Sequence, residues 1–450
     1  MFTDTETTSY REVRLPAPED PLRAVTALAG SGLFDQYVVY ESEAEWSFAG
    51  GRLADLRASR TGAVVRHGSD STTLSDDENL SATVRGFLAA VPVSGWRAYG
   101  WAAFELAYLN SELAPLAGDD VLLHLLIPHT EVRITAQDVL LRSADEATLE
   151  RVAMTLRDPP KVPSVPSVRL EVPVEDTGNY RAVVAAAVAA IRAGDLQKVI
   201  LSRVLPVPEP VDLIATYAAG RAANTPARSY LLNLGRIRAA GFSPETVVEV
   251  GANGRIATQP LAGTRALTGS PAQDLRLRAE LLTDPKEIYE HAVSVKTACD
   301  ELSALCEPGS VQVGEFMTVR ERGTVQHLAS TVTGRLPAPA DTWHAFDRVF
   351  PAVTASGIPK PAAYRLIHDL ENQERGLYAG SVLTCDHLGQ MDAALVLRTV
   401  FQHAGRTWLQ AGAGIVSQSL PEREHEETCE KLRSVAQYLV PAHEPGQVCI

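Results

Sequence analysis

Short apolar runs broken by turn residues alternate along the first 157 residues, as in DQYVVYESEAEWSFAGGRLADL, VSGWRAYGWAAFELAYL and DVLLHLLIPHTEVRITAQDVLLR. Runs of this length, bounded by Gly, Asp and Pro, predict a region dominated by strands. The stretch Asp158 to Val168, DPPKVPSVPSV, carries four prolines and is read as a connector, with residues 1–168 forming an N-terminal strand-rich region and 169–440 the catalytic region. Beyond it the period changes. In TGNYRAVVAAAVAAIRAGD the residues Val184, Ala187, Val188 and Ile191 recur at helical spacing and Gly194 is placed to cap the end. LQKVILSRVLPV reads as a strand, and TVVEVGANGRIATQPLAGTR reads as two strands about an Asn253-Gly254 hairpin. Further hairpins are expected at His387 to Gly389 and at Ala404-Gly405. Long helices are expected in TDPKEIYEHAVSVKTACDELSAL and PKPAAYRLIHDLENQ, the second opened by prolines suited to a first turn. Hairpins interspersed with long helices predict an α+β fold of antiparallel sheets flanked by helices, not a doubly wound parallel sheet.

A chain of 450 residues with 45% hydrophobic and 21% charged positions is that of a globular protein able to bury a substantial core. The formal charge of -14 argues against nucleic acid or an anionic membrane as partner. An anionic substrate therefore needs local help. The five cysteines are scattered and form no C-x-x-C pair, so reduced thiols in cytoplasm are expected. No basic leader and no membrane-length apolar run is present in the sequence.

Four features carry candidate chemistry. Glu287 and Glu290 stand three apart on one predicted helix, and Glu424 and Glu427 repeat that spacing on another, SLPEREHEETCEKL, where Ser419 and Glu422 have the pattern of a capping box. Two such pairs facing one another would suit a hard divalent cation, although Glu422, Glu426 and Glu430 compete for the same role. Lys198 opens an otherwise apolar strand, and burial near other cations would favour its neutral, basic form. Arg398 is one charge among small apolar residues in DAALVLRTV, either paired with a buried acid or awaiting a ligand carboxylate. QAGAGIV sets Ala411, Gly412, Ala413 and Gly414 before the capped helix, either as a tight turn or as backbone able to approach an anion closely. His327 in VQHLAST reads more readily as a satisfied core histidine than as a catalytic one.

Taken in order, nine blocks resemble the chorismate-utilising enzymes, the family of anthranilate, aminodeoxychorismate, isochorismate and salicylate synthases. They are KVILSR from Lys198, TQPLAGTR from Thr258, DPKEIYEH from Asp284, VQHLAS from Val325, FPAVTASGIPK from Phe350, ERGLYAG from Glu374, LRTV from Leu397, AGAGIV from Ala411 and PEREHEETCEKL from Pro421. The resemblance implies that Glu287, Glu290, Glu424 and Glu427 hold Mg²⁺, which receives the ring carboxylate of chorismate. It implies further that Tyr378 and Arg398, with backbone N–H groups near Ala411 and Gly412, bind the enolpyruvyl carboxylate, that Gly263 and Thr264 line the ring pocket, and that Lys431 lies beside the metal end.

The nucleophile divides this family. Ammonia-using members generally carry glutamine where this chain has Lys198, and members with a nucleophilic lysine carry it where this chain has Ala262. Both positions point to water. Lys198 is then the implied base for attack at C2, and Glu245 the acid that protonates the departing C4 hydroxyl. The blocks around Thr354, Lys360 and His327 look closest to the salicylate synthases of siderophore pathways, isomerase and lyase in one chain, with His327 and Thr354 as candidates for shaping the second step. The alternatives are an isochorismate synthase that releases its intermediate and a catalytically silent scaffold subunit. No amidotransferase subunit is expected, and a monomer is favoured.

Overall fold

The computed structural model describes residues 7–74, 80–160, 170–173, 175, 176 and 178–442. Residues 161–168 of the proline-rich connector lie outside these. Every pairing between the named strands is antiparallel, in two eleven-stranded sheets and one of three strands. The α+β expectation holds, for the reason read from the sequence: hairpins close locally and leave helices to cover the faces.

The first sheet runs from Arg11–Pro16 at one edge to Gly357–Ile358 at the other, and its centre contains Tyr37–Glu41, Arg228–Leu234, Ile237–Ser243, Thr399–His403, Arg406–Ile415 and Lys198–Val207. Side chains alternate across a strand, and the strand Tyr37–Glu41 shows what this sheet separates. Val38 and Tyr40 join the core shared with the second sheet, whereas Tyr37 and Val39 join a core under the helices Pro21–Gly30, Glu146–Arg157, Leu213–Ala223 and Pro421–Ala436. Strands of the N-terminal third are built into both sheets. Glu41 is opposite Ser229 in the first, and Ala102 is opposite Ser381 in the second.

The local readings hold at the hairpins. Thr246–Val250 pairs with Arg255–Thr258 across a turn with Gly254 at φ 74°, and Thr399–His403 pairs with Arg406–Ile415 about Ala404 and Gly405, both at positive φ as a two-residue turn requires. The helix Tyr180–Ala193 buries Val184, Ala187, Val188 and Ile191 and ends on left-handed Gly194.

Two local expectations are corrected. The C-terminal helix begins at Pro421 with Leu420 as its N-cap, so Ser419 and Glu422 form no capping box. Proline at the first turn sets the start by its restricted φ, and Ser419 instead accepts from Val416 N–H. QAGAGIV is not a turn. Its residues Gln410 to Ile415 lie within the ten-residue strand Arg406–Ile415, paired with Lys198–Val207 from Thr407 to Ile415.

Candidate active site

Two helices bring four carboxylates together. Asp284 caps the helix Pro285–Ser303 by accepting from Lys286 and Glu287 N–H, which fixes the first turn so that Glu287 and Glu290 face inward. The helix Pro421–Ala436 turns Glu424 and Glu427 inward and leaves Glu422 exposed and Glu426 and Glu430 half-buried, which decides among the competing carboxylates. All four inward glutamates are at most 5% exposed. Such burial is costly unless charge is compensated, and the compensation is a residue that sequence reasoning missed. The ammonium of Lys286 lies 3.1 Å from Glu424, 3.3 Å from Glu290 and 3.5 Å from Glu287. Its sequence signal was its position four residues before Glu290, on the same helix face.

The carboxylates are unequal. Burial works against ionisation of Glu427, but Lys431 at 2.8 Å, with Lys286 and Arg423, overcomes it and holds the group down at about 2. Burial also opposes ionisation of Glu290, where Lys198 at 3.1 Å and Lys286 prevail. Burial raises Glu287 despite Lys286, and pushes Glu424 up to about 7 with help from the charge of Glu427. Among the described residues neither oxygen of Glu424 has a hydrogen-bond partner, nor does Oε2 of Glu427, although the Lys286 ammonium forms an ion pair with Glu424 Oε1. Among the described residues, no three acidic, histidine or cysteine side chains stand close enough to hold an ion as they lie. The set nevertheless fits a hard cation in chemistry: all ligating atoms are carboxylate oxygens, and three buried ones lack a hydrogen-bond partner. Two glycines make room for it. A Cβ on Gly414 would collide with the Glu290 carboxylate, and one on Gly263, where φ is 83°, would press on Glu287.

Beside this cluster opens a pocket lined by Glu245, Gly263, Thr264, Glu290, His327, Thr354, Tyr378, Arg398, Ala411, Gly412, Glu427 and Lys431. The structure thus gathers twelve of the predicted site residues on one wall system. Lys198, Glu287 and Glu424 stand behind it. Lys198 is fully buried, two residues from pocket-lining Ile200 and so on the same strand face, and it donates to Ser294 Oγ at 2.9 Å. Its nearest charged neighbour is the Glu290 carboxylate, not the cations that the sequence reading invoked.

Arg398 follows the strand Met391–Leu395 in a left-handed bend at φ 50°, not inside a strand as expected. Its guanidinium donates to the Arg322 carbonyl at 3.1 Å and contacts His327 Nε2. No carboxylate hydrogen-bonds to it among the described residues, so the pairing with a buried acid is not seen. His327 is held by Thr264 Oγ1 at 3.0 Å, and burial together with Arg398 drives it toward the neutral form. Lys431 also donates to the Gly412 carbonyl at 2.9 Å.

Glu245 faces this cationic end from the loop before Thr246–Val250. Leu261 N–H and Thr354 Oγ donate to its two oxygens at 2.8 and 2.9 Å, yet burial dominates and raises it to about 7. A carboxyl at that value exchanges protons near neutrality. The N-terminal third also reaches the site. Glu105 accepts from Arg375 and Gly376 N–H at 2.7 and 3.0 Å, clamping the turn that presents Tyr378.

The fold of two large antiparallel sheets is shared with solved chorismate-utilising enzymes, and the family of chorismate binding enzymes also matches in sequence. The sequence profile of that family matches residues 36–437, and the chain belongs to it. Among its relatives is the salicylate synthase of Mycolicibacterium paratuberculosis, 41% identical over 441 residues, covering 95% of this chain and 96% of that one. Among solved structures, anthranilate synthase component I from Streptococcus pneumoniae matches with a TM-score of 0.75 at 25% identity, over 87% of this chain and 92% of that chain. The menaquinone-specific isochorismate synthase of Escherichia coli shares the fold, with a TM-score of 0.74 over 96% of this chain and 95% of that one at 22% identity. Among the described residues no helix is long and apolar enough to cross a membrane.

Proposed function

We propose that the chain is a salicylate synthase that converts chorismate to isochorismate and then to salicylate and pyruvate. The observation that carries this reading is the likeness to a salicylate synthase along almost the whole of both chains. In this reading Arg398 and Tyr378 receive the enolpyruvyl carboxylate, with charge-assisted hydrogen bonds from a guanidinium that no acid among the described residues satisfies. Lys198 accepts a proton from the water that attacks C2, and Glu245 donates one to the departing C4 hydroxyl. Elimination of pyruvate then needs a held conformation more than a reacting side chain, and the His327, Thr264 and Arg398 contacts hold one wall of the pocket in place.

Glu287, Glu290, Glu424 and Glu427 are the residues that would hold Mg²⁺. The ion would neutralise the cluster and receive the ring carboxylate, which four carboxylates would otherwise repel. Lys286 then competes with it as a resident cation. Lys286→Met is expected to tighten Mg²⁺ binding at least tenfold, about 1.4 kcal/mol, in calorimetric titration without substrate. Unchanged affinity would remove Lys286 from the metal site.

The reading itself is tested by incubating the protein with chorismate and Mg²⁺ and resolving the products by chromatography. Salicylate and pyruvate in equal amounts are expected. Isochorismate accumulating without pyruvate would make the chain an isochorismate synthase, and no turnover would favour a silent binding subunit.

A further inference from the structure

Accepting that reading, the acid and the base end each cycle in the wrong states. Water adds its oxygen at C2 and gives a proton to Lys198, while the C4–O bond breaks and the hydroxyl leaves as water with a proton from Glu245. Lys198 has gained a proton and Glu245 has lost one. Lys198 can discharge toward the substrate pocket when product leaves. Glu245 is 2% exposed and covered by product on that side until release, so a route from its other side would reload it while product is still bound.

Behind Glu245 lies a second, much smaller cavity, about 10 Å³ in volume, close to the room one water needs. Glu245 and Thr354 line both this cavity and the substrate pocket, so the carboxyl forms the partition between them. Its other walls carry Thr246, Gln259 and Glu301. Glu301, on the helix Pro285–Ser303, pairs with Lys360 at 2.6 Å, and their side chains remain 14% and 13% exposed. The pair therefore touches solvent on one side while Glu301 borders the cavity on the other. Lys360 is further tied to the Val349 carbonyl at 2.9 Å, which holds the pair in place.

We propose that the cavity behind Glu245 is a proton-return path, in which Glu301 passes a proton from solvent through a cavity water to Glu245 after each turnover. Glu301 touches no substrate and acts only through Glu245. Burial raises Glu301 and lowers Lys360, which narrows the gap between the two.

The test is rapid-quench measurement of chorismate consumption by the full chain with Mg²⁺, using wild type, Glu301→Gln and Ala298→Leu. Glutamine keeps a hydrogen bond to Lys360 but carries no transferable proton. Leucine at Ala298, another lining residue, fills the cavity without changing a charge. At a pH about one unit below 7, where Glu245 starts mostly protonated, the first turnover in both variants is expected at the wild-type rate, followed by a steady state at least tenfold slower with an increased solvent deuterium isotope effect. Steady-state rates equal to wild type in both would overturn the path, as would a first turnover slowed as much as the steady state, which is the mark of a structural role. Wild-type protein that forms neither isochorismate nor salicylate would instead overturn the functional reading beneath it.

Discussion

Lys198→Ala is expected to lower isochorismate formation from chorismate by about 10²- to 10⁴-fold, the range a positioned general base contributes, while supplied isochorismate is still converted to salicylate. The asymmetry follows from the chemistry. In the proposed reading only the first step removes a proton from water, and the second is an internal hydrogen transfer that asks the pocket for shape. Since Lys198 is fully buried against Glu290 and Ser294, alanine also leaves a void and removes one of the two cations beside Glu290, Lys286 remaining at 3.3 Å. Lys198→Met, which fills the space, separates that effect from loss of the base and should show the same split between substrates. Chorismate consumption at the wild-type rate by either variant would end the assignment.

Glu245→Gln should cost the first step a comparable 10²- to 10⁴-fold, because glutamine can keep a hydrogen bond to Leu261 N–H or Thr354 but has no proton to give the leaving hydroxyl. The pH profile gives a second readout. With the carboxyl raised by burial to about 7, the acid form is present below that pH, so kcat/KM for chorismate should fall as pH rises through about 7. An exposed glutamate, with a value of roughly 4.3, would already be spent there. The same shift runs through stability. The native state keeps a proton that the unfolded chain has released, so the contribution of Glu245 to stability falls between its ordinary range and about pH 7, by on the order of 3 kcal/mol in all. Glutamine removes that loss, and the variant should melt at a higher temperature than wild type above pH 7 while being far less active. A variant that is both less stable and unchanged in pH profile would mean that Glu245 has no acid role.

How far the chain was legible depended on the range of the interaction concerned. The hairpins at Asn253-Gly254 and Ala404-Gly405 and the helix ending on Gly194 are set by residues within one turn of each other, and they form as read. The acidic pairs were legible because an E-x-x-E repeat places both carboxylates on one face. What they meet there was not. Lys286 was passed over because the reading followed one sign of charge, and the neighbour of Lys198 was misjudged because the Glu290 that contacts it comes from a helix some 90 residues later. Arg398 was read as a strand residue from its apolar flanks, yet it sits in a left-handed bend that nothing in LRTV announces. Glu105 shows the limit most clearly: its partners are the backbone N–H groups of Arg375 and Gly376, which carry no side-chain signal at all.

The interleaving of the sheets bears on how the molecule is made. The strand Tyr37–Glu41 has Arg228–Leu234 as one of its two neighbours, and Arg97–Ala102 pairs with Ser381–Asp386. At a synthesis rate of about 5–20 residues per second, the first of these partners follows after roughly 10–40 s and the second somewhat later still. Through that interval the nascent chain carries open strand edges with unpaired N–H and C=O groups, the kind of edge that recruits foreign strands. The pocket depends on the same late pairing, since the strands that frame Glu245, Arg398 and Gly412 are all synthesised after it begins. A ribosome that stalls before residue 381 therefore releases a half-built sheet in which Arg97–Ala102 lacks its partner Ser381–Asp386 and the pocket lacks Arg398 and Gly412.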